Sequence, residues 1–502
     1  MERRKFIVNS SLAALTLPFW LQGCKSLLVS DFPIYVDSDH ATGHLIMKSQ
    51  QWERVKKGTI GIAIVGGGIA GVTAAYQLRE RDIKLFELSS RLGGTASAKM
   101  DNGITFSQGA HYELAYPETY GSEVISMLEQ LEIIKYQPWN KAWSFQDRQH
   151  IIPFSRRQQC YENGKMRKEV ISDGFVKDQF FRIINEYNGD MHLPTRLIST
   201  KYRELNAISF IDFLSSRMKI DAKFQQQLDY HMMDDWGGKS NQVSALAGIH
   251  YFACRPYLTQ SVDLFSPPEG NHYFSNKMVD AIDKEKIKTS HLVSNIEKIG
   301  TTFSIEVIDV LNQVINVYSA DQVIYAGQKH ALKYIYPKEA DLFDQKQAPW
   351  MVMNFVCDGN PSKYGFWQNE FLGENRSFLG FIDSSVQDRE VQNGKRVITA
   401  YYCLSPEDRE YLTTIPDHKQ EIADETLGYI QQMLDKKLVV ESCHINVMGH
   451  AMSIPVPGFL FNDANEHETD LIYAGVDNGR LPLLFEALDS GICAAKLVDK
   501  PL

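Results

Sequence analysis

Gly66, Gly68 and Gly71 stand in the spacing GxGxxG, and an acid, Glu87, follows 21 residues after the first of them. Each residue type has a reason to be there. The first glycine permits a tight turn, the second lets backbone N–H groups approach a pyrophosphate, and the third brings a helix close to a strand. A helix N-terminus supplies partial positive charge to phosphates. An acid at the position of Glu87 accepts hydrogen bonds from a ribose hydroxyl pair and repels a 2′-phosphate. Arg91-Leu92-Gly93-Gly94-Thr95 comes next, adding backbone donors and, through Arg91, a charge to neutralise phosphate.

The elements around these residues are those that the motif requires. Gly61-Ile62-Ala63-Ile64-Val65 has the composition of a buried parallel strand, and Val72-Thr73-Ala74-Ala75-Tyr76-Gln77-Leu78-Arg79 continues as a helix. Ile83-Lys84-Leu85-Phe86 is a second strand ending at Glu87. Strand, glycine turn, helix, strand and acid together point to an adenine dinucleotide. Near the other end, Leu471-Ile472-Tyr473-Ala474 runs into Gly475-Val476-Asp477, and a helix is expected over 482–497.

With Gly109-Ala110-His111-Tyr112 and the stretch 236–255, these motifs are strung from residue 61 to the end. The chain resembles the superfamily of flavin-containing amine oxidases, protoporphyrinogen oxidases and phytoene desaturases, and within it a group of exported bacterial FAD-dependent oxidoreductases. That resemblance implies FAD as cofactor. It also implies a Rossmann-like FAD-binding domain, with a parallel sheet, helices and a β-meander, interleaved with an α+β substrate domain. By the same resemblance Val293 sits against the adenine, the last helix points its N-terminus at the flavin, and Asp477 bonds the ribityl or phosphate region. Relatives carry that acid directly after Ala-Gly, whereas here Val476 intervenes.

His111 and Tyr112 are the candidate catalytic residues, on a segment whose small neighbours allow backbone to pass close to a flat ring. The alternative for His111 is a hydrogen-bonded core histidine. Asp234-Asp235-Trp236-Gly237-Gly238 reads first as a solvated loop with a packed tryptophan, and second as a pocket wall. Many relatives place a lysine on a substrate-domain strand matching Trp350-Met351-Val352-Met353, where this chain has none; Lys346 is the nearest. No second dinucleotide fingerprint is present to hold NAD(P)H. The expected reaction is therefore hydride transfer from an amine-like or apolar organic substrate to flavin N5. An oxygen-dependent amine oxidase and a non-catalytic flavin-binding envelope protein are the alternatives.

The FAD-binding domain is expected from residues 58–130, 262–330 and 440–502, and the substrate domain from 131–261 and 331–439. In the substrate domain, 131–261 reads as helical, from the spacing of Val176, Phe180, Phe181 and Ile184 and of Phe210, Phe213 and Leu214. Strands are expected around 350–356 and 397–403, and a meander over 290–327.

The start of the chain reads as an address. Arg3-Arg4-Lys5-Phe6-Ile7, an apolar stretch over 11–21 and Leu21-Gln22-Gly23-Cys24 form the pattern of a bacterial secretory signal. The paired arginines resemble the twin-arginine export motif, with ordinary secretion as the alternative, and the last four residues resemble a lipobox that lipidates Cys24. Residues 1–23 are then the signal peptide and 24–57 a linker arm. These features place the protein in the bacterial envelope, held to the membrane by a lipid. Twin-arginine export of folded protein agrees with a cofactor loaded in the cytoplasm.

Composition agrees with this reading. The chain has 502 residues, 44% hydrophobic and 23% charged, which excludes a disordered, fibrous or polytopic membrane protein. Its formal net charge of −10, without a basic stripe in the body, argues against nucleic acid as a partner. The seven cysteines are never closer than 40 residues, so no metal-binding spacing and no disulfide framework is signalled.

Overall fold

The computed structural model describes residues 31–48, 50–109, 119–171, 174–255, 263–343, 345–359, 365–375, 377–387 and 394–498. Cys24, His111 and Tyr112 lie outside the described residues.

Two large sheets organise the chain. The first has the fingerprint strand Arg54–Val65 near its centre, largely exposed at the start and buried from Ile60 onward except for a half-buried Gly61. Ile83–Phe86 and Val314–Tyr325 flank it in parallel, and Ile287–Lys288 and Ile472–Tyr473 extend the parallel part. His291–Ile299, Thr302–Asp309 and Val314–Tyr325 form the antiparallel meander. The alternation in Phe303-Ser304-Ile305-Glu306-Val307 buries Phe303, Ile305 and Val307 in one cluster with Val65, Phe86 and Val293. The fingerprint helix Ile69–Gln77 packs against the last helix, Leu484–Leu497.

The second sheet has eight strands, in the order Ile34–Asp37, Val440–Ser453, Gln347–Asp358, Lys395–Cys403, Phe378–Asp383, Gln368–Leu372, Gln158–Glu162 and Lys165–Arg167. Helix Ile415–Leu434 covers it, contributing Ile422, Leu427 and Ile430 to a core with Met353, Phe355 and Ile398. A helical lobe of Gly174–Ile184, Phe210–Ser215, Ala222–Trp236 and Ala245–Ala253 is held by edge-to-face contacts of Phe180 with Phe210, Phe224 and Phe252. Ser209, Asp221 and Ser244 cap three of these helices through their side chains. Each such cap contributes about 1 kcal/mol.

The fold is thus a Rossmann-like domain joined to an α+β unit, with several elements placed differently from the sequence expectation. Val440–Ser453 lies in the eight-stranded sheet, paired with Gln347–Asp358, rather than with the cofactor piece. Within 24–57, Ile34–Asp37 is an edge strand of that sheet and Arg54–Lys57 already belongs to the fingerprint strand. The stretch 131–261 also contains the hairpin Ile134–Gln137/Ala142–Phe145 and two strands of the large sheet. Four-residue strands are too short for a period-2 pattern to stand out, and their pairing partners lie far away in sequence. The six described cysteines are free, and among the described residues no helix is long and apolar enough to cross a membrane.

Candidate active site

One cavity of about 1990 Å³ lies between the two sheets. Gly66, Gly68, Glu87, Arg91, Gly93 and Gly94 line it at one end, with Val293, Gly475 and Asp477. Gly71 sits behind the turn. A Cβ there would lie 1.9 Å from the Gly66 carbonyl oxygen, so the helix can meet the strand only through a glycine. Gly66 itself has φ +100°, in the region that favours glycine. Gly68 differs: a Cβ on it would meet nothing within 4 Å, because the space beside it is cavity. Gly68 caps the helix Ile69–Gln77 with no side-chain bond, which leaves the first N–H groups of that helix for a ligand.

Glu87 is anchored by two backbone donors. Gly67 N donates to its Oε2 at 2.6 Å and Ser89 N to its Oε1 at 2.7 Å. Burial outweighs these bonds and pushes the carboxyl up to about 7. Arg91 lines the same cavity with a buried Nε that has no hydrogen-bond partner among the described residues. An orphaned guanidinium nitrogen, an uncapped helix start and an open glycine beside them fit a pyrophosphate.

At the same carboxyl end of the parallel strands, beside the glycine turn, Pro482, Leu483 and Leu484 bring the start of the last helix to the cavity. That helix is fixed from behind by ion pairs: Asp489 Oδ2 accepts from Arg196 Nε at 2.8 Å and from Arg480 at 2.6 Å. Gly475 N donates to Ser490 Oγ at 2.9 Å, tying the Ala-Gly turn to the same helix. Asp477 is engaged by a residue that sequence reading missed, Lys329. Its buried Nζ donates to Asp477 Oδ1 at 3.0 Å and to Ala474 O at 2.6 Å, while its backbone N donates to Asp477 Oδ2 at 3.0 Å. Asp477 thereby holds two chain turns together at the cavity wall. In the sequence Lys329 sits in the polar run Gln328-Lys329-His330, which gives no local sign of its burial.

The remaining wall is aromatic and acidic. Trp350, Trp367, Tyr401, Tyr230 and Tyr251 line it. Asp234 and Asp235 join them from the last turn of helix Ala222–Trp236, so this segment is a helix end on the cavity and not a solvated loop. Trp236 is fully buried, as expected. Asp235 pairs with Arg255, whose guanidinium lies 4.1 Å from the Tyr251 ring centroid. His231 Nδ1 is 3.0 Å from Tyr251 Oη, and burial pushes the imidazole down to about 3, so it is neutral.

Glu370, also missed from sequence, lines the cavity from strand Gln368–Leu372 with a buried Oε2 that has no hydrogen-bond partner among the described residues. Burial, reinforced by the charge of Asp234, raises its carboxyl well above the usual range. Trp350 and Val352 line the cavity from strand Gln347–Asp358, and Lys346 is not among the residues of the cavity wall. The segment leading to His111 is held against the eight-stranded sheet. Asn354 Nδ2 donates to Ser107 O, Asn446 Nδ2 to Gln108 O and Tyr401 Oη to Gly109 O.

Residues 64–131 match the family model described as an NAD(P)-binding Rossmann-like domain. A stretch of 52 residues is 38% identical to protoporphyrinogen oxidase 2, chloroplastic/mitochondrial, of Arabidopsis thaliana; it spans 10% of this chain and 10% of that relative. Over nearly the whole chain the similarity is structural. Wild-type putrescine oxidase bound to putrescine superposes with a TM-score of 0.62 at 13% identity, covering 89% of this chain and 100% of that one. Cyclohexylamine oxidase from Brevibacterium oxydans IH-35A gives 0.61 at 13% identity, covering 88% and 100%. The chain therefore has the fold of these amine oxidase structures, built around an NAD(P)-binding Rossmann-like segment.

Proposed function

We propose that the protein is an FAD-dependent oxidoreductase acting on an amine-like organic substrate. The observation that carries this reading is one cavity running from an uncapped helix start, with the open Gly68 and Arg91 Nε, to an aromatic wall containing Glu370 Oε2, both atoms without a partner among the described residues. The first end has the donors for a pyrophosphate. Gly68, Gly93, Gly94 and Arg91 would hold it, Glu87 would take the ribose, Val293 would face the adenine, and the start of helix Leu484–Leu497 would stabilise negative charge on the reduced ring. FAD, when bound, supplies a ring that accepts a hydride at N5.

The second end supports an amine over a wholly apolar substrate. Trp350, Trp367 and Tyr401 line this end, and aromatic rings attract a cation. Burial raises the Glu370 carboxyl well above the usual range, and an ammonium within hydrogen-bond distance would favour its ionised form. Neutral His231, held by Tyr251, adds no competing positive charge there.

The sequence signals at the start of the chain support an envelope location, with export as a folded, loaded protein and a lipid on Cys24. Loss of membrane retention in Cys24→Ser, with the activity moving to the soluble periplasmic fraction, is the expected result; unchanged fractionation would remove the anchor from this reading.

The test of the function is an absorbance spectrum of the purified protein followed by anaerobic titration with a panel of amines. A flavin spectrum bleached by one or more amines is expected. Colourless protein that releases no flavin on boiling refutes the cofactor. Bound flavin that no amine bleaches would instead favour a non-catalytic binding protein, and hydrogen peroxide formed in air would identify oxygen as the acceptor.

A further inference from the structure

Strand Ile34–Asp37 and the helical turns His40–Gly43 and His44–Met47 come before the fingerprint strand and form no part of the dinucleotide motif. They join the two sheets. At one end Ile34–Asp37 pairs in parallel with Cys443–Asn446 at the edge of the eight-stranded sheet. Tyr35 stacks on His444 with ring centroids 4.9 Å apart, and Lys419 Nζ donates to Ile34 O at 3.0 Å. Asp37 Oδ2 accepts from Lys99 Nζ at 2.9 Å and from Gln108 Nε2 at 2.8 Å.

At the other end, Leu45 and Ile46 pack with Trp52 and Leu88 against Leu292, Ile308 and Ile315 of the meander. Between these anchors, Ser38, Asp39, His40, His44 and Ile46 line the same cavity as Glu87 and Val293. The Asp39 carboxylate takes a hydrogen bond from Ser89 and lies close enough to Glu87 for its charge to raise that carboxyl. The segment thus crosses the cleft at the end where the ribose-binding acid sits.

We infer that Ser38–Met47 is a strap across the nucleotide end of the cleft, forming the outer wall of the ribose and adenine site and setting how fast a bound dinucleotide leaves. The inference rests on the reading of this cleft as an FAD site. A dinucleotide lying on Gly68 and Glu87 is covered on one face by the sheet and its turn; the strap supplies the opposite face. Because the strap is tied into both sheets, its opening requires one anchor to let go. Asp37 and Leu45 belong to the two anchors and are not among the cavity-lining residues, so changing either loosens the strap without removing a group from the site.

The test is the rate at which FAD fluorescence appears after dilution of the FAD-loaded full-length protein. Asp37→Ala and Leu45→Ala are each expected to release FAD about tenfold faster than wild type. Asp37→Asn, which keeps an acceptor for Gln108, should fall between. Ile184→Val, a core change in the helical lobe, serves as the control and should release at the wild-type rate. Release within twofold of wild type in both strap variants overturns the strap. Failure of the wild-type protein to take up FAD at all overturns the dinucleotide reading itself, and the strap with it.

Discussion

Alanine at Gly68 should separate nucleotide binding from folding. The backbone there has φ −69° and ψ 179°, which alanine adopts without strain, and its Cβ would touch no heavy atom within 4 Å. The nucleotide-free protein is then expected to be as stable as wild type or more so, by up to about 1 kcal/mol, since the unfolded chain loses freedom. The methyl group occupies space beside the helix start, where a phosphate must come close to use the free N–H groups. Weakening that approach costs about 1–2 kcal/mol, roughly a 5- to 30-fold rise in Kd. Gly71→Ala provides the contrast. Its Cβ would collide with the Gly66 carbonyl oxygen at 1.9 Å, so the helix must move and stability should fall by about 1–3 kcal/mol. Thermal unfolding without nucleotide and a fluorescence titration with FAD measure the two effects. Wild-type affinity in Gly68→Ala, or a loss of stability matching that of Gly71→Ala, would refute the placement of the phosphate at this turn.

Two further outcomes follow from the buried acids. Glu87 holds its proton to about 7 when folded, against 4.5 ordinarily, so the folded state binds more protons than the unfolded state between those values. Its contribution to the stability of the nucleotide-free protein should therefore be full below about 4.5 and fall by up to about 3 kcal/mol as pH rises through 7. Urea denaturation at pH 5 and pH 8, compared with Glu87→Gln, isolates this term; equal pH slopes in the two proteins would contradict it. Glu370→Gln should raise KM for amines about 10- to 100-fold, the range of a lost charge-assisted hydrogen bond of about 1.5–3 kcal/mol, with little loss of stability. Steady-state kinetics on the best amine check this, and an unchanged KM would remove Glu370 from substrate binding.

The dinucleotide turn was legible in the residues because its parts are contiguous. Strand, glycines, helix and acid occupy about thirty residues, and the steric demand on Gly71 comes from Gly66, within the same turn. The meander and the last helix were legible for a similar reason, since local periodicity and turn residues mark them. Spacing could not show where Val440–Ser453 belongs. Its apolar alternation suits either sheet, and its placement depends on pairing with Gln347–Asp358, nearly a hundred residues away.

From its sequence alone, then, this protein has a βαβ nucleotide site and a matching final helix, because short-range sterics and hydrogen bonds determine both. Tertiary structure decided which side chains face that site. Lys329 meets Asp477 across 148 residues. Glu370 Oε2 is left without a partner among the described residues because strand Gln368–Leu372 is buried beside the cavity, and Ser38–Met47 reaches the end of the cavity near Glu87 because its flanks enter different sheets. Burial and long-range pairing are properties of the packed chain, and they turn ordinary acids and an unremarkable N-terminal segment into parts of a site.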